Sequence, residues 1–143
     1  MSVYSYAARF KKDRSGAYTV TFPDVPEAIT CGRDFDDARM QAADCLQEAL
    51  AGRMVRREAV PRPSAPQPGH CMIEVALYLA PKLALYQAMR RAGVNNTELA
   101  RRLGVTEAVV RRMLAPHHNT RPDRLEAALG ALGVRLRIEA RAA

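Results

Sequence analysis

The chain has 143 residues, 48% of them hydrophobic, and a formal net charge of +7. This length suits one ordinary domain or two small ones, and the apolar content is enough for a real core. No apolar run is long enough to cross a membrane, and no secretory signal opens the chain. The charge is uneven: residues 72–143 carry twelve Lys and Arg against six acids, while residues 1–71 carry ten against nine. The basic excess therefore lies in the C-terminal half, as a polyanion-binding half requires.

Tyr4 to Phe10 alternates and reads as a strand. KKDRSG (11–16) is a polar turn, and AYTVTF (17–22) is a second strand with Tyr18, Val20 and Phe22 on one side, so the two form a hairpin. Pro23 and Pro26 stop the pairing, because proline cannot donate to a ladder. Ile29 to Gly32 is a short third strand. A helix follows from Asp34 to Arg53, with Asp34 as cap, Asp36 and Asp37 at its positive end, and Ala38, Ala42, Cys45, Leu46 and Ala49 facing the sheet. VPRPSAPQPG (60–69) holds four prolines. It has the composition of a linker, but the strand expected at Met72–Leu79 needs a sheet to join, so the segment belongs inside the first domain. The expected domains are therefore 1–80 and 81–143.

Pro81 opens the next helix, with Leu85, Ala88, Met89 and Ala92 on one face and Gly93 as its stop. The stretch 96–114, NNTELARRLGVTEAVVRRML, reads as two short helices about a tight turn. Asn95 and Glu98 have capping-box spacing, Gly104 ends the first helix, and Thr106 caps the second. Small Ala100 lets the helices cross closely. Leu99, Ala100, Leu103, Gly104, Val105, Val110 and Met113 together resemble the helix-turn-helix of DNA-binding proteins. On that reading Thr97, Thr106, Glu107, Ala108 and Arg111 lie on the DNA side, with Arg111 suited to guanine and Ala108 to a thymine methyl. Arg101, Arg102, Arg112 and Arg121 suit phosphates. A last helix opens at Pro122, with Leu125, Ala128, Leu129 and Leu132 at core spacing. VRLRIE (134–139) alternates and is expected to be a strand, which must pair with something, a second copy of the chain being one candidate.

Cys31, Cys45 and Cys71 are odd in number and form no CxxC pair, which points to free thiols in a reducing, cytosolic setting. His70, His117 and His118 lack zinc-site spacing, so no metal and no cofactor is expected.

The segment Tyr18-Thr19-Val20-Thr21-Phe22-Pro23-Asp24-Val25-Pro26, followed by Thr30-Cys31-Gly32, Asp36-Asp37-Ala38 and Val60-Pro61-Arg62-Pro63-Ser64, resembles the N-terminal domain of HicB-type antitoxins. Ala28, Ile29 and Arg33 depart from that pattern. The C-terminal half resembles the Xre-like helix-turn-helix that many of these antitoxins carry. The resemblance implies an α+β chain: a partial RNase H-like ββ(β)αβ domain, then an all-α helix-turn-helix domain. It also implies neutralisation of HicA, a small RNA-cleaving toxin; toxin contact is expected at Tyr18, Phe22, Asp24, Glu27 and Asp36. It further implies repression of its own operon by a dimer or larger assembly on double-stranded operator DNA, hence a cytoplasmic protein that joins the nucleoid when bound.

Residues 23–50 carry seven acids against Arg33 and Arg39. An acidic face would attract a toxin that grips RNA, although a solvated helix flank has the same composition. A metal-dependent nuclease would need carboxylates converging from strand ends. The first two strands contain none, so an enzyme is not expected. The alternative is a stand-alone transcriptional repressor whose N-terminal domain senses a ligand or a protein.

Overall fold

The computed structural model describes residues 4–143, so the first three positions of the expected 1–80 domain lie outside the described residues. The chain divides into two compact units, with the boundary between Ala80 and Pro81. The first contains β1 (Ser5–Lys12), β2 (Tyr18–Thr21), β3 (Ile29–Gly32), α1 (Phe35–Val55) and β4 (His70–Glu74). Its strands form one antiparallel sheet in the order β3-β2-β1-β4.

Local chemistry sets the hairpin. The Asp13 carboxylate accepts from Ser15 N at 2.8 Å, Ser15 Oγ at 2.6 Å and Ala17 N at 3.2 Å, and Gly16 takes φ +92°. Such an Asx turn closes the connection without help from the core. The register pairs Phe10 with Val20 and Tyr18 with Gly32, which puts Tyr18, Val20 and Phe22 on one face of the sheet.

Gly32 brings α1 onto that face. A Cβ on Gly32 would lie 2.2 Å from Ala38 N and 2.4 Å from Ala38 Cα. Only glycine allows this approach, because no side chain stands between strand and helix. Asp34 caps α1 by accepting from Asp37 N at 2.9 Å, and the Asp37 carboxylate accepts from Arg33 N at 2.9 Å. Ala38, Ala42, Leu46, Leu50 and Met54 form the buried stripe of α1, and with Val20, Phe22 and Val25 they make the core. Cys45 and Ala49, expected in that stripe, are half-buried at its flank.

The strand expected at 72–79 forms earlier and is shorter. Pairing continues to Val75, whose N–H donates to Tyr4 O at 2.9 Å. The next amide, Ala76 N, donates instead to the Gln47 side chain at 3.1 Å. Leu79 N and Ala80 N then turn back onto Ala76 O, at 3.0 and 2.9 Å. A buried side-chain amide thus ends the ladder where hydropathy alone would extend it.

The second unit is helical: α2 (Ala80–Ala92), α3 (Asn96–Leu103), α4 (Glu107–Leu114) and α5 (Pro122–Gly130). Burial wraps most of α2, taking in Lys82, Leu83, Ala84, Leu85, Tyr86, Ala88 and Met89, whereas Ala92 is exposed. Gly133 turns the chain at φ +73° after α5. The strand expected at 134–139 is not formed: among the described residues nothing makes a ladder with it, and alternation alone cannot hold a strand.

Replacing Gly32 with Ala is expected to destabilise the sheet unit by about 1–3 kcal/mol or more through overpacking. Urea unfolding followed by circular dichroism measures this, and an unchanged midpoint would contradict the close-approach account.

Candidate functional site

The α3–α4 corner is built by backbone rules. Asn95 caps α3 through Glu98 N at 2.8 Å. Gly104 takes φ +66° and ψ +32°, the left-handed conformation that lets the chain leave α3 and re-enter a helix three residues later. Leu99, Ala100, Val110 and Met113 are buried. Thr106 has the extended backbone of a cap, but its side chain makes no capping bond, so its exposed hydroxyl is left facing solvent.

The outer surface of this corner is basic. Arg101, Arg102, Arg111, Arg112 and Arg121 are exposed, as are Thr97 and Thr106, while Glu107 and Ala108 are half-buried. Glu98 pairs with Arg101 at 2.6 Å and with Arg102 at 3.1 Å, which holds the Glu98 carboxyl below its ordinary range. Glu107 accepts from Arg111 at 3.2 Å and from Asn96 at 3.3 Å. Arg121 pairs with Asp123 at 2.9 Å. Exposed pairs of this kind contribute little and exchange readily for other anions. The guanidinium of Arg112 makes no ion pair among the described residues.

In the sheet unit the expected toxin-contact residues divide sharply. Phe22 is 1% exposed and belongs to the core, so its side chain is not presented at the surface. Asp24 accepts from Ser64 N at 2.8 Å and from Ser64 Oγ at 2.6 Å. Glu27 forms a two-point pair with Arg53, one arm at 2.8 Å through Nη2, and Arg53 Nη1 donates to Ala59 O at 3.0 Å. Buried Tyr6 donates to Pro61 O at 2.6 Å, and burial pushes its phenol up to about 12, so it remains a donor. These bonds fasten the proline-rich crossing, and they explain an Asp and a Glu around Pro26 without any partner.

The acidic run is therefore less free than its composition implied. Asp24, Glu27, Asp34 and Asp37 all serve internal bonds. Asp36 remains exposed beside Phe35, which packs on Tyr18 edge-on at 5.7 Å and on Phe10 at 5.1 Å. Further along α1, Met40 is 68% exposed, and Ile29 on the edge strand β3 is 61% exposed. Sequence reading missed Phe35, Met40 and Ile29. Their signal is an apolar residue out of step with the 38-42-46 stripe, and for Ile29 its place on an edge strand. Among the described residues, no group of three His, Cys, Asp or Glu side chains is placed to hold a metal ion, and no helix is long and apolar enough to cross a membrane.

A family model described as a HicB-like antitoxin of bacterial toxin-antitoxin systems matches residues 5–84. The chain belongs to the HicB-like antitoxin family. Membership gives the coarse role: an antitoxin, one half of a toxin–antitoxin pair. Antitoxin HicB 2 of Photorhabdus laumondii is 35% identical over 135 residues, covering 94% of this chain and 95% of the relative. Antitoxin HicB of Escherichia coli is 36% identical over 121 residues, 85% of this chain and 88% of the relative. Antitoxin HicB of Pseudomonas fluorescens is 28% identical over 142 residues, 99% and 97% of the two chains. These are antitoxin names, and none denotes a catalytic activity.

The Glu27–Arg53 pair makes acid stability testable. Its guanidinium lowers the Glu27 carboxyl to about 2, against the slight rise from burial. A depressed folded-state value means the stabilisation is present above the unfolded carboxylate range and is lost as pH falls towards about 2. Glu27→Gln is therefore expected to lower stability at neutral pH and to flatten the acid limb of the unfolding midpoint. An acid limb of unchanged slope would contradict the pairing.

Proposed function

We propose that this antitoxin neutralises a HicA-like, mRNA-cleaving toxin by direct binding, and represses its own operon by docking the α3–α4 corner on operator DNA. The observation that carries the DNA half is the coincidence of a glycine-turned two-helix corner with exposed arginines in the last turns of both helices. α4 offers Thr106 and Ala108 at its start and Arg111 from the following turn for base edges, and Thr97, Arg101, Arg102, Arg112 and Arg121 are available for phosphates. Glu107 orients Arg111 rather than binding phosphate, since a carboxylate repels it. The working form on DNA is a dimer or higher oligomer, whose recognition helices reach half-sites roughly 34 Å apart. The repressor is then nucleoid-associated within the cytoplasm.

For the toxin half, exposed Phe35 with half-buried Tyr18 beside it, Asp36, Met40 and the edge strand β3 form the contact surface. Asp24, Glu27 and Phe22 act behind it by shaping the fold. An RNA-gripping toxin is basic, and Asp36 meets that charge while Met40 and Phe35 supply apolar area.

Arg111→Ala is expected to weaken specific operator binding by about 1–3 kcal/mol and to relax one base position, read by fluorescence anisotropy on a panel of operator variants. Equal loss on every sequence would mean that Arg111 touches phosphate.

Asp36→Lys is expected to weaken toxin binding, measured by calorimetry with the neighbouring gene's product, while operator affinity is retained. Recovery of the chain from its native cells without a small basic partner, yet still bound to its promoter, would favour a stand-alone repressor.

A further inference from the structure

Lys82 breaks two local rules. It is 2% exposed, although lysine is almost never fully buried. It also lies in the first turn of α2, the positive end of the helix dipole, where no acid accompanies it. Among the described residues it is the only buried charged side chain, and no carboxylate contacts it. A sequence keeps such a residue where the ammonium has a task.

Its contacts define that task. Nζ donates to Ala115 O at 2.8 Å, Thr120 Oγ1 at 2.9 Å and Met113 O at 3.0 Å, with Arg112 O further off at 3.5 Å. The three short bonds use all three ammonium donors. Met113 O and Arg112 O belong to the last turn of α4, which carries the negative end of its dipole, and Arg112 O also accepts from Ala115 N at 3.2 Å. Thr120 Oγ1 in turn lies 3.2 Å from His118 Nδ1 and 3.5 Å from Arg112 O. One cation therefore ties the end of α4 to the far side of the turn that carries His117, His118 and, next in sequence, Arg121.

We propose that Lys82 is a positioning residue for DNA recognition: its ammonium joins the end of α4 to the 115–120 turn, so that Arg111, Arg112 and the turn meet the DNA as one preorganised surface. This rests on the DNA-binding reading of the α3–α4 corner. A neutral amine has only two donors, so it keeps three contacts only if the Thr120 hydroxyl turns round to donate to it and gives up its own bond towards Arg112 O, which loosens the turn without removing the helix core.

Burial lowers the Lys82 ammonium to about 8. The sign of the linkage separates positioning from plain stability. A lysine depressed on folding makes the folded state more stable, not less, as pH rises from about 8 towards the unfolded value. DNA affinity should move the opposite way, because the binding-competent ammonium form is being depleted. Lys82 is the only lysine in residues 81–143, and the other cations there are arginines, which stay charged. The other titratable groups nearby are His118, through Thr120, and Tyr86, on the next turn of α2.

The test measures operator affinity of the full-length protein by anisotropy, at constant salt, between about pH 7 and 9, alongside thermal unfolding. The variants are Lys82→Met, Thr120→Val, and His118→Gln, which removes the imidazole beside Thr120. Wild type and His118→Gln are expected to lose about fivefold in affinity across that range while the unfolding midpoint holds or rises. Lys82→Met is expected to bind about tenfold more weakly at pH 7, with no further loss on raising pH, and Thr120→Val to show a smaller loss. If Lys82→Met does not fold, Thr120→Val carries the test at pH 7. Operator affinity of either folded variant equal to the wild type's at pH 7, or wild-type affinity that rises with the unfolding midpoint, overturns the positioning role. Absence of wild-type operator binding at every pH overturns the DNA-binding reading itself.

Discussion

Irregular backbone must find hydrogen-bond partners, and this protein meets that demand with long side chains reaching out of helices and strands. In the sheet unit, Tyr6, Arg53 and Asp24 take up Pro61 O, Ala59 O and the Ser64 amide. In the helical unit, Lys82 takes up Met113 O and Ala115 O. Unpaired buried polar groups cost about 1–3 kcal/mol each, comparable with burying a large apolar side chain. The sheltered contacts of Tyr6 and Lys82 therefore matter as much as a core residue, whereas the exposed bonds of Arg53 and Asp24 contribute less.

The same demand explains why composition misleads in the acidic run. A cluster of carboxylates invites an electrostatic role, yet a carboxylate is also the acceptor best suited to a helix cap, a loop amide or a guanidinium. Asp34, Asp37, Asp24 and Glu27 perform these internal roles. What remains at the surface is smaller and more mixed: exposed Asp36, Asp44 and Glu48 together with the exposed apolar side chains Phe35, Met40 and Ile29. A surface of that mixture suits protein association better than a purely acidic face.

The two-helix corner shows a complementary division. Its arginines hold carboxylates at Glu98, Glu107 and Asp123. These exposed pairs are weak, so they keep long side chains out of disordered solvent without committing them. An incoming phosphate can displace them. The buried Lys82 contact is of another kind, since it has no competing solvent and its geometry determines where the end of α4 sits.

Elements made by local rules were legible in the sequence. The Asp13 turn, the β3 span, the Asp34 and Asn95 caps and the Gly104 stop depend on residues a few positions apart, and each occurs where its chemistry places it. The family resemblance was legible for the same reason, because its motif is a set of turns, caps and one close glycine approach. Only the tertiary structure decided what depends on distant partners. It ended β4 at Gln47, left 134–139 without a ladder, engaged Asp24 with Ser64 and Glu27 with Arg53, and gave Lys82 its acceptors some thirty residues away. A linear pattern records which side of an element a residue lies on; it does not record which backbone group will stand opposite it once the chain has folded.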